Sequence, residues 1–260
     1  MNDNPIGEII EAGTTAFVAQ CLEVPRQIVP RLYDPPPFGS FVKIVAGRNG
    51  SSEAPPAPNN GATAPDGGAG EERGVADEED PFASTSLASY QAAPTSGSGL
   101  PAATYALVYG ANTASLETGR RPSALGFADE DELRARQPQI FELLRTEFSG
   151  LLIAYSEGAD KGLRRHLPPK PPRIHSRVLP CDADEVRLLT QDLGFLRGVL
   201  LPSGGALAGV PSDELAAACL RQAREAQLND RDFLLKAGKA LATLLAEDYD
   251  RLQAILRNVL

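Results

Sequence analysis

The chain is 260 residues long, carries a formal net charge of −9, and contains 22 Pro, 24 Gly, a single Met and no Trp. That length admits one large domain or two small ones, and such Pro and Gly enrichment implies a long unstructured stretch beside compact parts. The acidic balance disfavours nucleic acid as a partner of the chain as a whole, because affinity for phosphate backbones comes largely from Lys and Arg that displace counterions.

The N-terminal MNDNPIGEII lacks a positive region followed by an apolar core, so no secretory leader is expected, and a cytoplasmic protein is the default. No apolar run approaches the roughly 20 residues that a membrane helix requires. Ile6, Ile9 and Ile10 form a short apolar segment that Ala12-Gly13 interrupts. Thr14 to Leu22 then reads as a strand, with Phe17, Ala19 and Cys21 on one face and Ala16, Val18, Gln20 and Leu22 on the other. Prolines at 25, 30, 35, 36 and 37 mark an irregular connection, after which Gly39 to Ala46 is a further strand. Short β-rich segments separated by Gly and Pro point to a small barrel or sandwich.

Residues 47–102 contain stretches such as SSEAPPAPNNGATAPDGGAG, with almost nothing to bury, and are expected to be a disordered insertion. Glu71-Glu72 and Asp77-Glu78-Glu79-Asp80 make part of it acidic, suited to a basic partner or simply to solvation. Strand character resumes over Ala103 to Gly110, where Tyr105, Leu107 and Tyr109 alternate with Thr104, Ala106 and Val108. Asp129 and Glu132 have capping-box spacing at a helix start, and Pro138 ends or restarts that helix. Ile140, Phe141, Leu143 and Leu144 are expected to give it a buried face, and Leu151 to Ala154 reads as a buried strand.

A Pro-rich, basic loop spans 157–177, and from Asp182 onward the pattern is helical. Asp182 and Glu185 again have capping-box spacing, and Val186, Leu189, Leu193 and Leu196 recur at helical intervals. Ser212 is the expected N-cap of a further helix, with Asp213 and Glu214 at its positive end. A last helix from about Asp230 carries Leu234, Ala237, Leu241, Leu244, Leu252, Ile255 and Val259, with Asp248 breaking the stripe, which favours a small bundle over a coiled coil.

Motifs that carry chemistry are missing. His166 and His175 are the two histidines, and neither CxxC nor HxxxH spacing supports a metal site, so no metal or cofactor is expected. Cys21, Cys181 and Cys219 are odd in number and far apart, which fits small buried apolar residues better than a disulfide framework. There is no GxSxG elbow, and GADKG and GGALAG match neither a P-loop nor a dinucleotide fingerprint. The sharpest local signal is basic: Lys161, Arg164, Arg165, Lys170, Arg173 and Arg177 fall within one short span. They would suit phosphate groups or an acidic protein surface, or else remain a solvated connection. The loop lacks the interleaved aromatics that single-stranded nucleic acid stacks on.

The segments IGEIIEAGTTAFVAQCL, PPPFGSFVKIV and TYALVYG, through Gly7, Thr14-Thr15-Ala16-Phe17, Gly39-Ser40-Phe41-Val42 and Tyr105–Gly110, resemble the HAS-barrel family. This is the small barrel of HerA-type DNA translocases and of the N-terminal regions of rotary ATP synthase α and β subunits. GTTAFVAQCLE, PPFGSFVK and QPQIFELLRTEF are similar to stand-alone cyanobacterial HAS-barrel proteins. The likeness covers residues 6–180 without the insertion, and Pro168–Val178 looks like the approach to the last barrel strand. In the translocases and synthases a P-loop domain follows the barrel, whereas here a helical tail without one does, so ATP hydrolysis does not carry over and no catalytic residue is transferred. What the resemblance implies is packing in a ring or docking of a partner.

The expectation is therefore an α+β protein: a small antiparallel β-barrel split between residues 1–46 and 103–180, with a helical insertion, then a helical bundle over 181–260. Its expected role is non-catalytic, a protein–protein assembly module whose partner is a ring ATPase or a second copy. The alternative is a nucleic-acid-associated protein that uses the basic loop 161–177.

Overall fold

Strands β1 (Gly7–Ala12), β2 (Ala16–Cys21), β3 (Phe41–Val45), β4 (Ala103–Ser115), β5 (Leu144–Ser156), β6 (Leu163–Arg164) and β7 (Arg177–Pro180) build one antiparallel sheet that closes on itself. Helices α1 (Glu130–Arg136) and α2 (Gln139–Glu142) lie between β4 and β5. Helices α3 (Ala183–Leu189), α4 (Leu196–Leu200), α5 (Ser212–Ala226), α6 (Arg231–Leu244) and α7 (Tyr249–Val259) follow β7. The computed structural model describes residues 4–22, 35–45, 102–117, 123–126, 129–137, 139–158, 161–201 and 205–259. The insertion expected over 47–102 lies outside the described residues, save Ala102.

The sheet runs β2-β1-β7-β3-β4-β5-β6, and an additional β2–β5 pairing joins its ends into a six-stranded barrel, with β6 appended to β5. Closure removes the unpaired edges that would otherwise invite foreign strands. It needs local bending, and register shifts supply it between Ile9 and Glu11 in β1 and between Val108 and Gly110 in β4.

Two apolar cores account for the stability of this arrangement. One fills the barrel with inward residues from alternate positions, including Ile9, Phe17, Ala19, Val42, Ile44, Phe148, Leu152 and Val178. Phe17 and Phe148 meet edge to face at 6.2 Å, and Gly150 stands opposite Phe17 in the strand register. A Cβ at Gly150 would sit 2.3 Å from the Phe17 ring, so a side chain there would displace the aromatic pair.

The second core lies outside the barrel wall. Phe41, Tyr105, Leu107 and Ile153 turn outward from β3, β4 and β5 and pack with Leu196, Leu215, Leu220, Leu241 and Ile255 of the helices. Consequently β4 is buried on both faces over Tyr105–Val108, while β2 alternates buried and half-buried. The closest approach is at Gly39, whose φ of 79° is left-handed and whose Cβ would fall 2.5 Å from Ala218 Cβ on α5. The alanine-rich run Leu215–Leu220 in α5, buried throughout, gives the flat helix surface that allows it.

The strand faces read from 14–22 and the capping boxes agree with the structure. Asp129 accepts from the Glu132 N–H at 2.7 Å, and Asp182 and Glu185 cap each other reciprocally. Four expectations need correction. Leu144 belongs to β5 and Leu143 is 40 % exposed, because a ladder of twelve β4–β5 pairs extends the strand back to Leu144 and cuts α2 short. The same ladder carries β4 past Gly110 to Ser115. Ser212 is the first helical residue and not the cap; Pro211 precedes it without a side-chain bond. The last helix is two, α6 and α7, with the Asp248 carboxylate accepting from the Arg251 N–H at the second start.

Candidate functional site

The six basic residues singled out in the sequence sit on one excursion between β5 and α3. It begins where β6 pairs with the end of β5, Arg164 opposite Tyr155, and ends in β7, where Arg177 stands between Glu8 of β1 and Val45 of β3. Both ends are fastened. At the first, the Arg165 guanidinium donates to the Leu188 carbonyl at 2.9 Å, and the His166 ring stands edge-on to Tyr155 at 5.3 Å. At the second, the His175 N–H donates to the Ile9 carbonyl at 2.8 Å and the Ile9 N–H to the Ser176 carbonyl at 3.0 Å. His175 has a φ of 66°, and its Nδ1 lies 2.5 Å from a Glu8 carboxylate oxygen.

The structure divides the basic set by use. Lys161 pairs with Glu157 at 3.2 Å, one helical turn's spacing away and exposed. Arg165 is consumed in fastening the segment to α3. Lys170 is exposed at a bend in the middle of the excursion. Arg164, Arg173 and Arg177 are exposed, and their side chains have no hydrogen-bond or ion-pair partner among the described residues. Two residues that the sequence reading passed over stand among them: Leu167 is 45 % and Ile174 47 % exposed. Their signal was present, since Leu167 between His166 and Pro168, and Ile174 between Arg173 and His175, have no alternating apolar neighbours to form a buried face with.

The strongest electrostatic contacts lie elsewhere and hold the fold. Lys43 of β3 donates to both carboxylate oxygens of Glu185 at 2.8 and 2.9 Å. Burial alone would lower the Lys43 ammonium pKa, but the hydrogen-bonded Glu185 carboxylate outweighs it and the net shift is upward. Arg251 of α7 clasps Asp213 of α5 through Nη2 at 2.6 Å and Nε at 3.0 Å, a forked geometry that raises the already high guanidinium pKa. The three cysteines are free. Burial pushes the Cys21 thiol up to about 11 and the Cys219 thiol up to about 12; burial, then the Glu185 charge, raises Cys181 as well. All three are therefore protonated thiols at neutral pH, poor nucleophiles and poor metal ligands.

Among the described residues, no group of three or more His, Cys, Asp or Glu converges as metal ligands would, and no helix is long and apolar enough to cross a membrane. Comparison with protein-family models finds no match, and no curated protein matches the chain.

Proposed function

We propose that the chain is a non-enzymatic assembly module that docks a protein partner through the surface formed by residues 164–177. The observation that carries this reading is the mixture on that segment: exposed Leu167 and Ile174 interleaved with exposed Arg164, Arg173 and Arg177, whose side chains have no partner among the described residues. Arginine beside apolar side chains is the composition of protein interfaces. Fastening at both ends lowers the ordering cost of binding. A single-stranded nucleic-acid surface would use exposed Phe, Tyr or Trp faces for stacking, and the 161–177 segment contains none of these residues.

The HAS-barrel resemblance supplies the class of partner, a ring ATPase that the barrel caps or a second copy of the chain. The closed six-stranded barrel is what supports it. The test is affinity purification of the tagged full-length protein from nuclease-treated native cytosol, with stoichiometry read by light scattering. A complex of defined stoichiometry, hetero- or homomeric, is expected. A monomer throughout, or binding only to nucleic acid with an affinity that falls steeply with salt, overturns the proposal.

A further inference from the structure

Between its two anchors the excursion reads Arg165-His166-Leu167-Pro168-Pro169-Lys170-Pro171-Pro172-Arg173. Four prolines fix φ near −65°, and each residue followed by proline is held away from the helical region. Leu167, Pro168, Lys170 and Pro171 all precede a proline, so nearly every torsion from 167 to 172 is biased to the extended left-handed polyproline conformation. Pro169 and Pro172 are the exceptions, because Lys170 and Arg173 follow them. The chain bends at Pro169 and Lys170, beside the unrestricted ψ of Pro169, and runs without secondary structure on either side. Pro169, Lys170, Pro171 and Arg173 are exposed, and Pro168 and Pro172 half-exposed.

We infer that Pro168–Arg173 is a docking motif for a partner domain that presents an aromatic-lined, acid-rimmed groove of the kind that reads polyproline helices. This deepens the assembly reading and rests on it. Such grooves take prolines two intervening residues apart and orient the ligand by one terminal cation. Pro168, Pro171 and Arg173 have that spacing in one direction; Arg165, Pro168 and Pro171 have it in the other. The structure decides between them. Arg165 is tied to Leu188 and Gln191 of the helical layer, whereas the exposed Arg173 side chain has no partner among the described residues. The ligand therefore runs Pro168 to Arg173, with the Arg173 guanidinium meeting the carboxylates of the groove rim. Binding requires the bend at Pro169 and Lys170 to open into a rod.

The experiment is titration of the full-length protein against a purified Src-homology-3 domain that binds Pro-x-x-Pro-x-Arg ligands. Saturable binding is expected. R173E and P171A should each weaken it by about tenfold, the equivalent of one lost interfacial contact. R231E, an exposed arginine at the start of α6 and outside the 164–177 surface, should leave it unchanged, and K170P, which holds Pro169 ψ extended, should tighten it. No binding, or equal weakening by R231E and R173E, overturns the motif. In parallel, affinity purification from native cytosol compares wild type with R173E and P171A. Loss of the stoichiometric partner in both variants is expected; a partner retained by both defeats the motif and leaves the assembly reading standing. A monomer with no partner even for wild type defeats both.

Discussion

Lys43 and Glu185 are 142 positions apart in sequence, yet the lysine ammonium bonds to both oxygens of the carboxylate, at 2.8 and 2.9 Å. The same carboxylate accepts the Asp182 N–H that opens α3, at 2.9 Å. One side chain thus terminates a helix and ties it to a barrel strand, with Lys43 16 % and Glu185 6 % exposed. Removing the acid strands a nearly buried cation and uncaps the helix. We predict that Glu185→Ala lowers unfolding stability by about 3 kcal/mol. Lys43→Met strands the Glu185 carboxylate in turn but leaves it the Asp182 capping bond, so it should cost less by the value of one cap, about 1 kcal/mol. Urea denaturation of the two variants measures the difference, and equal losses would contradict the shared role.

Stability should fall on the alkaline side. The folded-state thiols of Cys21 and Cys219 are held up at about 11 and about 12 by burial, against roughly 8.5 in an unfolded chain. Between those values the folded state keeps protons that the unfolded state has released, so unfolding is favoured as pH rises. Lys43 adds loss in the same direction, since its raised folded pKa makes its contribution full below the unfolded value of about 10.4 and lost above it. Thermal unfolding from pH 7 to 11 should show a falling Tm from about pH 9, with a shallower fall in Cys219→Ala even though its Tm at pH 7 is already lower.

Two glycines should resist substitution for different reasons. Gly39→Ala meets a left-handed φ of 79° and the Ala218 side chain and backbone of α5 at once. Strain and overpacking together should cost at least about 2 kcal/mol. Gly150→Ala pushes the Phe17 ring off its edge-to-face contact with Phe148, so near-ultraviolet dichroism should weaken in that variant and stay native in Gly238→Ala, where a Cβ has open space.

Asp213 and Arg251 join the first and last of the long helices by a forked bond, with each side chain about one-third exposed. A double-mutant cycle with Asp213→Asn and Arg251→Gln should return a coupling near 1 kcal/mol, reduced by solvent screening. A coupling of zero would leave α7 held by apolar packing through Ile255 and Val259 and by its other bonds to α5, from Arg221 and Arg224 to the Asn258 and Val259 carbonyls and from the Asn258 amide to Glu214.

Local signals were legible in the sequence, and non-local ones were not. Strand faces such as Phe17, Ala19 and Cys21, and caps such as Asp129 and Asp182, depend on neighbours within four residues. The start of β5 at Leu144 depends on β4, some thirty residues away, and no property of QPQIFELL announces it. Glu185 was visible as a capping residue, but its second bond, to Lys43, required the barrel to exist. Likewise the basic span was visible as charge, whereas the distinction between Arg165, spent on the Leu188 carbonyl, and Arg173, left exposed, came only from the fold.

Docking of a protein partner at residues 164–177 is tested most directly by hydrogen exchange on the full-length chain, alone and in its native stoichiometric complex. Slowed exchange is expected at the His166, Leu167, Lys170, Arg173 and Ile174 amides on complex formation, with α6 and α7 unchanged. Protection confined to α6 and α7, with the 164–177 amides exchanging as in the free chain, would contradict it.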